Sequence, residues 1–311
     1  MQLFSKEISQ VNLILFVTGF LTITGNFTFF EKTILVYPIS ENLFFLFSLF
    51  FFLFNFLAVL LLLISFRWTI KPILIFLLLV SASVSFSINN YGIVFDHNMI
   101  ANTFESDLSE LQDLASIKLI IYLFIFGLLP SIFVWKVKLK KISFKSQLWN
   151  RLRALLILTI VFIIIVLTFS KHYSSFAREN RDLRLYITPT YSLYSSIKFI
   201  NSKIETSTES FQEIGLDAKI NKKSDKRRLV IFVIGETARR DHMSINGYEL
   251  KTNPYLEKEK IISFTNMTSC GTDTAWSVPC MFSLLDRSNY SHKKGKNMSN
   301  VLDLISHAGA N

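Results

Sequence analysis

The sequence predicts an α-helical membrane bundle of five transmembrane helices joined to an α/β domain. Three observations carry that expectation. Half of the 311 residues are apolar and 31 are Phe, most of them before residue 200, a composition suited to lipid as solvent. Five apolar runs, at 11–30, 43–66, 72–88, 116–135 and 154–170, approach or reach the ~20 helical residues that cross a hydrocarbon core. After residue 228 the pattern changes to a short run rich in β-branched residues, Leu229–Gly235 (LVIFVIG), which reads as a buried strand.

The first apolar run is closed by Asn26, Glu31 and Lys32 and the second by Arg67 and Trp68, while Pro72 suits the first turn of the third helix. The third and fifth runs lie near the lower limit of spanning length. Charge orients the bundle. Residues 67–71 carry Arg67 and Lys71, and residues 136–153 carry Lys136, Lys138, Lys140, Lys141, Lys145, Arg151 and Arg153, with no acid in either loop. Such loops face the cytoplasm. Residues 90–115 carry Asp96, Glu105, Asp107, Glu110 and Asp113 with no Lys or Arg, so that loop faces outward. The N-terminus is then cytoplasmic and everything after residue 170 lies outside. The first run is long, has no small-residue cleavage site and precedes further spans, so it reads as an anchor rather than a cleaved signal.

Within the 90–115 loop, Asn102, Ser106 and Glu110 recur every four residues and share one face of a helix. By spacing alone this is an ordinary solvated interfacial helix. Residues 171–228 read as a bridge. His172–Tyr194 mixes aromatic rings with Arg178, Arg181 and Arg184, as a segment lying along a membrane surface or an exposed linker would. Pro189 interrupts any helix there. The net charge of +10 does not favour nucleic acid. The basic residues cluster beside apolar runs as topology signals, and those at 222–228 have no aromatic stacking platform beside them. They suit anionic lipid headgroups instead.

In the outer domain, Glu236 directly follows the strand-like run, the place where open α/β sheets put their ligands. Asn246-Gly247-Tyr248 reads as a turn, Thr252–Leu256 as a helix start, Ile261–Phe264 as a strand, Ala275–Leu285 as a helix interrupted early by Pro279, and Val301–His307 as a helix. Ser269-Cys270-Gly271-Thr272-Asp273-Thr274-Ala275 gathers hydroxyls beside Cys270, with Cys280 just beyond. These two cysteines, the only ones in the chain, sit in no zinc spacing. They read as two separate thiols or, outside the cytoplasm, as a disulfide closing a loop around Thr274. A carboxylate and an alcohol of this kind suggest a metal-assisted nucleophilic site. His242 and His307 lie in no ligand-spaced pair.

The segments VIGETARRDHMSINGY and TSCGTDTAWSVPCMFS resemble the signature segments of the bacterial phosphoethanolamine transferases that modify lipid A. These are inner-membrane zinc enzymes of the alkaline phosphatase/sulfatase superfamily. The resemblance runs over the whole chain. It implies five transmembrane helices in 1–170 with a periplasmic donor-binding loop at 90–115, a periplasmic linker at 171–228, and a partial alkaline phosphatase/sulfatase-like α/β domain at 229–311. It implies Thr274 as nucleophile, Glu236 and Thr274 as Zn2+ ligands, and a Cys270–Cys280 disulfide. MIANTFESDLSEL resembles the family's donor loop, which implies Asn102, Ser106 and Glu110 as contacts to phosphatidylethanolamine, with Ser106 where Thr is more usual. The implied acceptor is lipid A or lipopolysaccharide, and the implied consequence of masking lipid A phosphate is polymyxin resistance. One departure stands out: the chain contains no Asp-His-Gly segment, which in the family supplies further metal ligands. The expectation is therefore a fragment, inactive alone and a weak holder of zinc. The alternatives are a noncatalytic membrane remnant or headgroup-binding module, and a related sulfatase-like or phosphoglycerol-transferring enzyme.

Overall fold

The computed structural model describes residues 7–105, 116–205, 210–220, 229–235, 238–264, 266–272 and 274–310. The chain divides into two compact units, Met1–Lys203 and Ile204–Asn311. That boundary falls inside the segment expected as the bridge.

The first unit is helical throughout. The opening apolar run forms two helices, α1 (Gln10–Gly25) and α2 (Phe27–Val36), bent by 59° at Asn26 rather than one straight span. Four further helices are long and apolar enough to cross a membrane: α3 (Ile39–Ile64), α4 (Ile70–Tyr91), α6 (Ile117–Lys136) and α7 (Phe144–Thr168). If the bent pair is counted as one span, the described residues hold up to five candidate spans by length and composition, against the five expected. The third and fifth are longer than their apolar runs, at 22 and 25 residues. Polar side chains extend them: Asn90 Nδ2 donates to Phe86 O at the end of α4, and the Ser143 hydroxyl caps Ser146 N at the start of α7. Short helices α5 (His97–Glu105), α8 (Ser170–Glu179) and α9 (Thr190–Glu205) complete the unit.

Leu13 and Ile14 of α1, Leu61 of α3, Leu74 and Leu78 of α4 and Val134 of α6 form a buried core. Around it, Leu156, Ile157, Ile164 and Leu167 of α7 are exposed. An uninterrupted exposed apolar face of this kind marks lipid as its solvent. Lys71 Nζ donates to Trp135 O at 2.6 Å, and Ile8 bridges to Leu139. Both basic loops and the start of α1 therefore share one end of the bundle. Away from that end, Thr28 Oγ1 donates to Asn89 Oδ1 at 2.5 Å, and Asn89 Nδ2 donates to the Tyr122 hydroxyl, which lies 3.2 Å from Ser85 Oγ. These bonds connect α2, α4 and α6.

The bend between α1 and α2 has a specific cause. A Cβ on Gly25 would lie 2.6 Å from Ser81 Oγ, so any side chain there would have to displace the Ser81 hydroxyl where α1 approaches α4. Asn26 is buried, and its Nδ2 donates to Thr188 O at 2.9 Å while its Oδ1 accepts from Thr188 N at 2.9 Å. Beside this knot, Phe29, Leu49, Leu53 and Leu183 form a second core, covered by Tyr173 and Phe176 of α8.

The second unit has helices α10 (Thr274–Phe282), α11 (His292–Lys296) and α12 (Val301–His307). The last matches its expected bounds and carries a capping box between Asn300 and Asp303. Gly247 has φ 97° at the expected turn. Gln212 and Met298 form an isolated bridge, with Gln212 N donating to Asn297 O and Ser299 N to Gln212 O. Four expectations need correction. Leu229–Gly235 and Ile261–Phe264 are not strands, and Leu229 and Val233 are 86% and 82% exposed rather than buried. A strand is completed by its neighbour's backbone groups, and among the described residues neither run has a partner strand. α10 runs through Pro279 and stops at Phe282; the proline removes one helical hydrogen bond without ending the helix. At 252–256, only a short 3₁₀ turn forms, at Leu256–Lys258.

Two outcomes are expected. Asn26→Leu leaves Thr188 N and O unsatisfied in the core, a cost of roughly 1–3 kcal/mol for each group, and lowers the midpoint of thermal unfolding of the detergent-solubilised chain. Burial pushes the Tyr173 phenol up to about 12 from the ordinary 10.0, against a smaller downward pull from Ser48, whose Oγ lies 3.0 Å away. A raised phenol contributes stability that is fully present below the unfolded value and is lost as pH rises from about 10 through about 12. In an alkaline melting series, Tyr173→Phe flattens that loss.

Candidate active site

Thr274 is exposed at the first position of α10. The first-turn N–H groups of a helix lack intrahelical acceptors and point along its positive end, toward any anion placed there. Cys270 and Cys280 form a disulfide with Cα atoms 6.1 Å apart, and Cys280 is buried. The bridge ties the approach to Thr274 to the far turn of the same helix. Ser269 Oγ donates to Gly271 O at 2.5 Å and lies 3.0 Å from Ser277 Oγ. A Cβ on Gly271 would lie 2.5 Å from Trp276 Cδ1, so glycine is what allows the chain to cross the indole. The Trp276 ring meets Tyr290 edge-on at 5.6 Å and stacks on His292 at 5.9 Å. Tyr290 is buried, which pushes its phenol up. Thr274 therefore stands on a small frame closed by one covalent bond and one aromatic stack.

Glu236 lies outside the described residues. Shortly after it, Arg239 Nη2 and Nε hold the Asp241 carboxylate at 2.6 and 3.0 Å, and His242 Nδ1 lies 3.3 Å from Asp241 Oδ1. The Arg239 bonds, then that of His242, hold the Asp241 carboxyl well below the usual carboxylate range. His242 also packs on Tyr248 at 4.8 Å. Among the described residues, no three His, Cys, Asp or Glu side chains converge as a metal site. The described donors by themselves do not make a zinc centre, and the expected one rests on Glu236 and the resemblance.

In the other unit, Asn102 is half-buried on α5, whereas Ser106 and Glu110 lie outside the described residues. The Asp96 carboxylate accepts from Met99 N at 2.8 Å and so caps α5. His97 Nε2 lies 3.1 Å from Ser202 Oγ, and the rings of Phe104 and Phe199 stack at 5.6 Å. These contacts fix α5 against α9. Sequence reasoning missed these supports of Asn102, and it also missed Trp276, Tyr290 and His292 under Thr274. Gly271 beside a cysteine was the one local signal that something must approach closely.

Residues 52–204 match the family model described as phosphoethanolamine transferase EptA/EptB, and residues 228–311 match the sulfatase model. The class is thus an integral membrane protein carrying sulfatase-type sequence after its helices. The chain is 38% identical to phosphatidylethanolamine transferase Mcr-1 of Escherichia coli, over 98% of this chain and 58% of that protein. It is 31% identical to phosphoethanolamine transferase EptA of Escherichia coli O157:H7, over 94% and 54%. Its fold matches the integral membrane lipooligosaccharide phosphoethanolamine transferase A (EptA) of Neisseria meningitidis with a TM-score of 0.89 at 26% identity, over 98% of this chain and 57% of that one. The chain belongs to the phosphoethanolamine transferase family. It spans about half the length of the curated relatives it matches.

The bridge predicts its own test. The cysteines are 10 residues apart in sequence, and closing a loop of that size stabilises by about 2–3 kcal/mol in the chain-entropy account. The paired Cys270→Ser, Cys280→Ser variant exchanges its amide hydrogens over 274–282 correspondingly faster. The parent chain takes up iodoacetamide only after reduction.

Proposed function

We propose that this chain serves a transferase moving phosphoethanolamine from phosphatidylethanolamine to lipid A or lipopolysaccharide in the bacterial inner membrane. The observation that carries the reading is the exposed Thr274 hydroxyl at the start of a disulfide-clamped helix, within the sulfatase-matched region of a chain 38% identical to a phosphatidylethanolamine transferase. Thr274 Oγ attacks the donor phosphorus and gives up its proton. The bond from phosphorus to the diacylglycerol oxygen breaks, and that oxygen takes up a proton. Phosphoethanolamine is left on Thr274 until a lipid A phosphate oxygen attacks the same phosphorus, the bond to Thr274 breaks and Thr274 Oγ takes back a proton. The first-turn N–H groups of α10 stabilise charge on the phosphoryl oxygens. Zn2+ held by Glu236 and Thr274 would supply the charge that lets a threonine hydroxyl ionise near neutral pH.

In this reading the 90–115 loop holds the donor, with the Glu110 carboxylate on its ammonium and Asn102 donating to its phosphate. The basic loops gathered at one end of the bundle support a cytoplasmic N-terminus, and on that reading α5 and the sulfatase-type domain face the periplasm. Neutralising lipid A phosphate would lower polymyxin binding. A second reading, a noncatalytic membrane protein that holds lipid headgroups, is favoured by the exposed Leu229–Gly235 run, which has no partner strand among the described residues.

Mass spectrometry of lipid A from cells expressing the protein separates the two. The transferase reading expects a phosphoethanolamine adduct that disappears in Thr274→Ala. Lipid A left unmodified by the parent protein would favour the headgroup-holding reading.

A further inference from the structure

At the end of the bundle bearing the basic loops, two cavities of about 180 and 360 Å³ share Gln10, Gln147 and Arg151 as walls. Gln10 and Arg151 are only 8% and 9% exposed, yet Gln10 Nε2 and Arg151 Nη2 have no hydrogen-bond partner. The Arg151 guanidinium lies over the Phe66 ring, 5.3 Å from its centroid. Lys140 lines the first cavity and Arg67 the second, and among the described residues no carboxylate lines either one. A buried guanidinium with no counter-charge and an orphaned amide donor beside it is an arrangement that proteins ordinarily complete with an anion. The planar fork of arginine selects phosphate or carboxylate oxygens.

The position of the site distinguishes among anions. Trp68 and Phe144 line the larger cavity and are strongly exposed, as aromatic residues at headgroup depth are. Leu156 and Ile157 continue the same helix as an exposed apolar face, which suits acyl chains. The site lies by the start of α4, whereas α5 follows the end of that helix. A 22-residue helix separates the two by roughly 33 Å, so the pocket is not the expected donor site.

We propose that this pocket binds the phosphate of one anionic phospholipid headgroup, in the leaflet that faces the basic loops. The inference does not rest on the transferase reading.

Native mass spectrometry of the purified chain in detergent tests it, with equimolar phosphatidylglycerol and phosphatidylcholine in one arm and inorganic phosphate in the other. One phosphatidylglycerol is retained with a preference of roughly tenfold over phosphatidylcholine: both lipids offer a phosphate, but the choline ammonium is repelled by Arg151, Lys140 and Arg67. Arg151→Gln loses that preference. Lys140→Ser, a change at an exposed residue that leaves the core intact, reduces it. Arg153→Gln, which removes an exposed charge stacked on Trp149, leaves it unchanged. Equal retention of the two lipids by the parent chain would overturn the proposal, as would a preference that survives in both Arg151→Gln and Lys140→Ser. Binding of inorganic phosphate without phosphatidylglycerol would overturn the assignment to a lipid.

Discussion

The membrane unit depends on a paired amide contact between the Asn26 side chain and the Thr188 backbone. Inside an apolar bundle, a helix can break only where other groups meet the backbone polar atoms left over. Gly25 and Asn26 make the break; Asn26 Nδ2 donates to Leu21 O of α1, and the same side chain is held by the Thr188 backbone, 162 positions away. The consequences run in order. α2 turns away from α1 and presents Phe29 to Leu49, Leu53 and Leu183. Tyr173 and Phe176 of α8 then have a surface to cover. α9 starts at Thr190, just after the contact, and carries Phe199 and Ser202 to α5. The loop helix with Asn102 thus takes its support from an asparagine in the first span.

The two ends of the bundle are chemically different, and this bears on the charge of the chain. A net charge of +10 on a soluble protein would point toward polyanions in solution. Here Lys71 reaches across to Trp135 O, and Lys138 and Lys140 flank the bridge from Ile8 to Leu139. The cations therefore collect where a helical bundle meets its basic-side headgroups. Farther along the helices the bundle is joined instead by the neutral chain Thr28, Asn89, Tyr122 and Ser85. Neutral hydrogen bonds connect the helices there without placing ionised groups beside the hydrocarbon.

The spans were legible in the sequence because lipid thickness imposes a length that any apolar run must meet. The bend was not, since Asn26 reads locally as the polar end of a run and its partner is remote. Likewise the extra length of α4 and α7 comes from Ser and Asn side chains bonding to nearby backbone, which a hydropathy pattern counts against a helix. The two cysteines left two readings open, separate thiols or a bridge outside the cytoplasm; the family resemblance implied the bridge, and the bridge is present. The support for Thr274 was not, because Trp276, Tyr290 and His292 look like ordinary residues until the fold brings their rings together. The strand at Leu229–Gly235 was the opposite error. Its composition is right for a sheet interior, but composition supplies no partner.

That last contrast separates the two halves of the expected chemistry. The Thr274 frame is built from contacts close in sequence: the bridge from Cys270 to Cys280, the Ser269–Ser277 contact, and Trp276 meeting Tyr290 edge-on and stacking on His292. Contacts of this range close at small entropic cost and need no sheet. Placement of a carboxylate at position 236 follows a different logic. In an α/β domain it depends on the preceding run being paired with neighbouring strands, which are distant in sequence and late to assemble. The proposed nucleophile therefore rests on contacts within one short segment, and a mutation in the clamp alone would misplace the Thr274 hydroxyl.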